Sequence, residues 1–502
     1  MVNWVGTSEV NESLSTTVAD LKRDLSEVDY LMADVQPAST SGRRMDNAAA
    51  PASETDLEGK FEPAFLELLT QLKFLRMEAI DTLDAMTVSC RSNTCLDVVG
   101  SGSEQARKLA AKTREKLLSL KALLRVAYRQ KAALNMLDPN YASNAIHAYE
   151  RTFLSQYASH LGSAKLRCYL HNSGMAAFAT ILHFVERLQG REQSADSVVG
   201  LQPMYFENMQ MLERIFPGML VPSPTNPDEL YEYLDAKLPR QIYLDAASNH
   251  GVMLVHELES VISWSERDTN SDVILVVDST CFSLSLLPAG LLARVPSNVT
   301  IVFVESLAKH HQFGLDMVTG GVALVHGSEK AHDCFERSRQ DVGSAISESN
   351  VGILPSPNRI QLTSRLERHS RNIAFFADQL EKRVAVSDSI LKTVSWVKDG
   401  LARPDFHTSN MAISFQERFR AKEKYSQFQS KLIEVAEKNG LALALGTSFG
   451  FDVTRVFLTT PGTTSPEPYL RVSIGTETRT DLEILLATLA QVDRDLLDEW
   501  TN

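Results

Sequence analysis

The sequence predicts an α/β protein with a mostly parallel sheet sandwiched by helices. A smaller α+β domain follows it and a helical extension precedes it. Three observations carry this expectation. Between Pro139 and about residue 345, short apolar runs rich in β-branched residues alternate with helical patterns, as in a parallel sheet covered on both faces. Beyond residue 345 the alternation gives way to long helices and isolated strand patterns. Between residues 61 and 136 the apolar spacing follows two helical patterns.

Taken in order, residues 1–60 are rich in Ser, Thr, Ala, Asp and Glu, with a linker-like stretch from Pro37 to Pro51. They read as a mostly flexible tail, with some helix around Leu14 to Met32. Residues 61–136 form the helical extension. Phe65, Leu68, Leu69, Leu72, Leu75 and Met77 follow one helical pattern, and Leu109, Leu117, Leu118, Leu120, Leu123 and Leu124 a second. The polar loop from Ser89 to Ser103 joins them into a hairpin suited to packing or oligomerisation. Residues 137–345 make the large domain, with strands expected at 167–171, 241–245, 273–277, 300–304 and 321–325. Residues 346–502 make the small domain. Helices are expected at 360–383 and 422–439, and strands near 411–415, 441–445 and 470–474.

The bulk properties narrow the function. A chain of 502 residues with 44% hydrophobic side chains has material for a large core and roughly two to four domains. A net charge of −13 and the lack of a basic stretch argue against nucleic-acid or anionic-membrane binding. The five cysteines, Cys90, Cys95, Cys168, Cys281 and Cys334, are scattered without a metal-binding pattern and read as reduced thiols. No apolar run approaches ~20 residues, so a cytoplasmic protein that does not enter a membrane is expected.

The chemistry centres on two strand ends. The run Val302-Phe303-Val304-Glu305-Ser306-Leu307-Ala308-Lys309 ends in an amine, and the run 273–277 ends in Asp278. Ligands of open α/β sheets collect at the carboxyl edge of the strands. An amine and a carboxylate there match the needs of pyridoxal 5'-phosphate. Lys309 forms the Schiff base, and Asp278 keeps the pyridine nitrogen protonated so that the ring can accept electrons. The turn Asn172-Ser173-Gly174-Met175-Ala176-Ala177 follows a strand and opens a helix. It reads either as a plain turn or as a phosphate cradle at a helix N-terminus. Ser306 offers a further hydroxyl to the same phosphate, or an ordinary cap. Tyr205 is either a ring-stacking residue or a core tyrosine. Asn249 reads as a donor to a phenolic oxygen or as a loop asparagine. Arg471 heads a strand and reads as a bidentate clamp for an α-carboxylate or as a surface ion pair.

These pieces together resemble the Cys/Met-metabolism family of PLP enzymes, the cystathionine γ-synthase-like group of fold type I. The matching segments run in family order from Tyr141 to the C-terminus. They are Ser173-Gly174-Met175-Ala176-Ala177, Met204-Tyr205, Leu244 to Asn249, Val277-Asp278-Ser279-Thr280, Ser306-Leu307-Ala308-Lys309 with Asp316 and Gly320-Gly321, Leu362 to His369 with Arg365 and Arg368, Leu445 to Gly450, and Arg471 to Glu477. The resemblance implies that Lys309 and Tyr205 are catalytic. It implies cofactor contacts from Ser173, Gly174, Met175, Tyr205, Asn249, Asp278, Ser306, Lys309 and Tyr141, and substrate contacts from Arg471, Ser448 and Tyr141. It also implies a homodimer or homotetramer with sites between subunits.

Departures from the family pattern are equally visible. Where the family lends a tyrosine and an arginine to a neighbouring phosphate, the chain reads Asp138 to Asn144 with Tyr141 and no arginine. Arg125, Arg129 and Arg151 are alternatives for that contact. Ala308 stands where a hydroxyl is common, His310-His311-Gln312-Phe313 follow Lys309, and His250 follows Asn249. The expected activity is γ- (or β-) replacement or elimination on an amino-acid substrate, through a quinonoid or vinylglycine-type intermediate, in specialised metabolism. Lys309 carries the protons at the α- and β-carbons, and Tyr205 assists the leaving group. Carbon–carbon bond-forming substitution with S-adenosylmethionine as electrophile, transamination, and a non-catalytic role are the alternatives.

Overall fold

The computed structural model describes residues 7–36, 63–92, 101–136, 139–190, 197–222, 226–247, 258–267, 272–386, 388–397, 407–459 and 467–501. The chain divides into two compact units. One comprises residues 1–146, 348–356 and 478–480, and the other comprises 147–347, 357–477 and 481–502.

The first unit is helical: α1 (Thr7–Val35), α2 (Pro63–Ser92), α3 (Ser101–Asn135), and the start of α4 (Pro139–Phe153). Here α1 extends the helix expected around Leu14 to Met32 over 29 residues of what otherwise read as a mostly flexible tail. Leu14, Leu21, Val28 and Val35 recur every seven residues and are buried with Leu31 along a face packed by α3. Polar pairs tie the same helices. The Lys121 amine meets Glu27 in a buried ion pair. Tyr128 donates to Asp34 at 2.7 Å, and Asp34 accepts from the Ser356 hydroxyl at 2.6 Å. A composition poor in aromatics concealed a heptad of aliphatic residues. The hairpin of α2 and α3 packs as a pair, while the loop between them lies outside the described residues.

The second unit holds two sheets. In chain order its elements are β1 (Leu166–His171), α5 (Gly174–Gln189), β2 (Val198–Gln202), α6 (Phe206–Ile215), β3 (Leu220–Pro222), α7 (Pro227–Lys237), β4 (Gln241–Asp245), α8 (Leu258–Arg267), β5 (Val273–Asp278), β6 (Val299–Ser306), β7 (Gly321–His326) and α9 (Glu329–Val342). After α10 (Glu348–Ile353), which belongs to the first unit, come α11 (Arg359–Val386), β8 (Leu391–Trp396), β9 (Asn410–Phe415), α12 (Lys422–Lys438), β10 (Ala444–Leu445), β11 (Arg455–Thr459), β12 (Tyr469–Ser473) and α13 (Arg479–Thr501).

The larger sheet has the strand order β1-β7-β6-β5-β4-β2-β3. Strands β6, β5, β4, β2 and β3 are parallel, and β7 runs antiparallel to both of its neighbours. Each β5 residue from Val273 to Val277 is buried, as in a strand covered on both faces. On one face Tyr243, Ile274, Val276, Val302, Val304, Ala323 and Val325 pack with Phe178, Phe184 and Phe335 from α5 and α9. The expected strands recur within two residues at each end. Strands β2 and β3 had no expectation, because Gly200 interrupts one short run and the other is three residues ending in Pro222.

The smaller sheet has the order β10-β11-β12-β9-β8, and its core includes Phe376, Phe415, Tyr425, Phe428 and Leu485. Strands β8 and β11 also went unread. Both are only partly buried, so their apolar alternation is weak. Among the described residues no helix is long and apolar enough to cross a membrane.

Candidate active site

The carboxyl ends of the parallel strands share one edge of the larger sheet. Asp245 ends β4 directly opposite Asp278, which ends β5, and Ser306 ends β6. Above them opens a cleft of about 340 Å³, walled on its other side by Thr447, Phe449, Phe457, Thr459, Tyr469 and Arg471 from the smaller sheet and its loops.

Asp278 is held by two neutral donors. The Asn208 amide donates to its Oδ2 at 3.0 Å and the Thr280 N–H to its Oδ1 at 3.0 Å. Burial pushes this carboxyl above the usual range despite both donors. Asp245 accepts the Tyr205 N–H on Oδ2 at 2.7 Å, and its buried Oδ1 has no hydrogen-bond partner among the described residues. Burial pushes Asp245 well up, and the neighbouring Asp278 adds to the effect. Thr280 also accepts the Ser306 N–H at 3.1 Å, which ties the ends of β5 and β6 together.

The turn into α5 stands on this edge. The Ser173 hydroxyl caps the helix by accepting the Ala176 N–H at 3.0 Å. Gly174 and Met175, whose N–H groups come before the first bonded turn, line the cleft at the helix N-terminus. Gly321, at the start of β7, lies directly beneath. A Cβ there would stand 2.3 Å from the Ser173 carbonyl oxygen and 2.6 Å from the Gly174 nitrogen, so only glycine fits.

Lys309 follows β6. Its Nζ donates to the Ser448 hydroxyl at 2.6 Å and lies 5.4 Å from the centre of the Phe449 ring. Burial, then the nearby Arg471 guanidinium, holds the amine below its ordinary pKa. The loop carrying these partners is fixed from behind. Arg365 on α11 donates to the Gly450 carbonyl at 2.9 Å and pairs with Asp452 at 2.8 Å. Gly450 has φ +83°, and a Cβ there would sit 2.9 Å from the Lys309 carbonyl carbon. Arg368 holds the carbonyls of Thr476 and Glu477 at 2.7 and 3.1 Å, just beyond β12. Arg471, on β12, donates through Nη2 to the Thr447 carbonyl and lies 5.5 Å over the Phe457 ring. Its buried Nε has no partner, and it meets no carboxylate among the described residues. Burial lowers the pKa of this guanidinium.

The fold thus brings Ser173, Gly174, Met175, Tyr205, Asp278, Ser306, Lys309 and Arg471 to one cleft. Two expectations change in detail. The Ser173 hydroxyl is committed to its own helix. Ser448, expected against substrate, meets the Lys309 amine. Asn249 lies outside the described residues. Tyr141 falls in the first turn of α4, its side chain outside what is described. Arg125 and Arg129 are exposed on α3, and Arg151 lines a different hollow with His147, Glu150 and Arg339. His310, in the segment that departs from the family, is buried between His369 and Phe449, and His311 bonds Glu305 at 2.9 Å.

Sequence reasoning missed Asp245, Asn208, Thr280 and Glu207. Asp245 carried the same signal as Asp278, a carboxylate closing an apolar strand. Glu207 and Asn208 stood two and three residues beyond Tyr205 without a pattern of their own.

Comparison with known proteins agrees with this architecture. The structure is similar to cystathionine gamma synthase from Xanthomonas oryzae pv. oryzae in complex with aminoacrylate and cysteine (TM-score 0.52, 18% identity), with 71% of this chain and 86% of that chain covered. It is similar to metB from Corynebacterium glutamicum (TM-score 0.52, 18% identity, 70% and 85% covered). It is also similar to cystathionine gamma-lyase from Lactobacillus plantarum complexed with L-serine (TM-score 0.50, 15% identity, 67% and 84% covered). In sequence it is 22% identical over 329 residues to the bifunctional enzyme flvA of Aspergillus flavus, covering 65% of this chain and 39% of that protein. The chain therefore spans about two fifths of that curated relative's length. A family model described as Cys/Met metabolism PLP-dependent enzyme matches residues 127–487. On that match, which spans well over half of the sequence, the chain belongs to the Cys/Met metabolism PLP-dependent enzyme family, a family of pyridoxal phosphate-dependent transferases and lyases.

Proposed function

We propose that this cleft binds pyridoxal phosphate through Lys309 and acts on an amino acid with a γ- or β-leaving group, by replacement or elimination. One observation carries the reading. An amine, a carboxylate and a guanidinium from three separate elements, Lys309, Asp278 and Arg471, converge on one cleft.

The residues present fit the cofactor. Asp278 is half-buried with neutral donors alone, so a pyridinium N–H would give its charge the partner it lacks. The amides of Gly174 and Met175 and the Ser306 hydroxyl suit a phosphate at the α5 N-terminus. Tyr205 offers an aromatic face to the ring. When bound, the cofactor draws electrons from the substrate's α-carbon.

The chain's own groups do the rest. Arg471, free of carboxylate partners, takes the α-carboxylate and orients the amino acid. Lys309, its pKa lowered, is neutral enough to remove the α-proton and to carry a proton at the β-carbon. Ser448 holds the Nζ during these transfers. The partly enclosed cleft limits water around the reacting carbons.

Borohydride reduction of the purified protein with cofactor, followed by peptide mapping, tests the attachment. Modification is expected at Lys309 and lost in Lys309→Ala. Incubation with O-acetylhomoserine, cystathionine, cysteine, methionine and S-adenosylmethionine, with products read by NMR, identifies the electrophile. Modification at another lysine, or turnover surviving in Lys309→Ala, refutes the reading.

A further inference from the structure

We propose that Asn208 is a positioning residue for the carboxyl that meets the cofactor's ring nitrogen: its side-chain amide holds Asp278 whether that group is charged or protonated, by turning either its N–H or its carbonyl oxygen toward it. This rests on the function proposed above and adds to it a residue that acts through Asp278.

The placement is not that of an ordinary helix-opening residue. Asn208 is the third residue of α6 and is buried. A polar side chain at that position commonly reaches back to the N-cap N–H. Here the N-cap is Tyr205, and its N–H is already taken by Asp245 at 2.7 Å. Asn208 turns instead to Asp278, donating through Nδ2 to Oδ2 at 3.0 Å. Its own Oδ1 is buried without a hydrogen-bond partner among the described residues. An orphaned buried acceptor is costly, so the amide is not placed to satisfy itself.

The two oxygens of Asp278 are not equivalent. Oδ1 accepts the Thr280 N–H at 3.0 Å, a backbone donor that cannot turn away. A proton on Asp278 therefore sits on Oδ2, the oxygen that faces Asn208. A primary amide carries a donor and an acceptor on one carbon, and half a turn about Cβ–Cγ exchanges them. The Asn208 oxygen left idle by the charged carboxylate becomes the acceptor for the protonated one. Burial, the largest influence, pushes the Asp278 carboxyl up, while the Thr280 and Asn208 bonds pull the other way. As the cofactor enters, Asp278 passes its proton to the ring nitrogen: the Oδ2–H bond breaks and a ring N–H bond forms. The carboxylate left behind needs a donor, and the amide turns Nδ2 back to it. That bond keeps the proton on the ring, because a hydrogen bond to the charged form favours the charged form. The titratable groups that face Asp278 are Asp245 from β4, Tyr205 before α6, Cys281 beyond β5 and Glu305 from β6. Glu207, Lys309 and Arg471 line the same cleft.

The test reconstitutes wild type, Asn208→Leu and Asn208→Asp with pyridoxal phosphate isotopically labelled at the ring nitrogen, and reads that nitrogen by solid-state NMR. Wild type should show a protonated ring. Asn208→Leu keeps the branching but removes donor and acceptor, so its resonance should move toward the unprotonated position. It should bind the cofactor about 10-fold more weakly, and kcat should fall with the amino-acid KM kept. Asn208→Asp keeps the shape and can donate only while protonated. Its cofactor affinity should match wild type at acid pH and fall behind as pH rises, a dependence that a packing role does not give. An unprotonated ring in wild type, or a wild-type resonance in Asn208→Leu, overturns the proposal. So does an affinity ratio between Asn208→Asp and wild type that ignores pH. Should Asn208→Leu fail to fold, that ratio decides the matter. A wild-type Lys309 left unmodified by borohydride would instead defeat the reading on which the proposal rests.

Discussion

The floor and the rim of the cleft are built by different means. The floor is sheet register: Asp245, buried, and Asp278, half-buried, are opposite residues on neighbouring strands and are held by neutral donors. The rim is loop and small sheet: Ser448, Phe449 and Arg471 reach the amine from a second sheet, braced by Arg365 and Arg368 on α11. Register fixes position to within a fraction of an ångström at no extra cost, whereas a loop needs its own struts. The floor therefore suits the cofactor, whose geometry must not vary. The rim suits the substrate, which must enter and leave.

Breaking the floor should cost most. Asp278→Asn removes the charge and turns one of its two accepting oxygens into an NH2 that faces another donor, and kcat/KM is expected to fall by about 10²–10³ with Lys309 still modified by borohydride. Equal loss in Arg471→Ala would erase the distinction. That rim variant should act chiefly on KM. Losing a charged hydrogen bond of about 2 kcal/mol corresponds to a roughly 30-fold rise, read from initial rates with kcat nearly kept. Next comes Gly321→Ala, whose Cβ collides with backbone rather than a flexible side chain. A loss of about 1–3 kcal/mol is expected in urea unfolding, with weaker cofactor retention. The smallest effect is Asp245→Asn. The native state raises the pKa of Asp245, so it binds a proton that the unfolded chain releases. Stability of the apoprotein should then fall as pH rises from the ordinary carboxylate range, near 3.9, through the elevated native value. The variant should flatten that decline, as measured by urea midpoints across pH.

Legibility in the sequence followed the same division. Lys309 and Asp278 could be read because an apolar strand announces its own end, and the polar residue closing it stands at the ligand edge. Arg471 could be read because a guanidinium heading an otherwise apolar run suits a carboxylate. The role of Ser448 could not, because a hydroxyl's partner depends on how one sheet's loop meets another's lysine. Glu207 was illegible, since a carboxylate two residues past a tyrosine meets its hydroxyl only when a helix begins between them. The helix over residues 7–35 was read only around Leu14 to Met32, because composition spoke for a tail, although its seven-residue aliphatic repeat was present throughout. Strands β2 and β3 were too short and too glycine- or proline-marked to separate from loop.

Strand β1 lies at the border of its sheet and finds its neighbour in β7, which runs opposite to the rest. The turn into α5, proposed to seat the phosphate, follows β1, and the glycine beneath it opens β7, with residues 171 and 321 directly paired. A nascent chain cannot finish this seat until the intervening stretch, roughly 150 residues of it, has been made and its ends have met, an encounter whose entropic toll grows with the span. Vitamin capture should thus be a late event in the birth of this molecule, and a polypeptide truncated before residue 321 should remain colourless however much of its central sheet has formed.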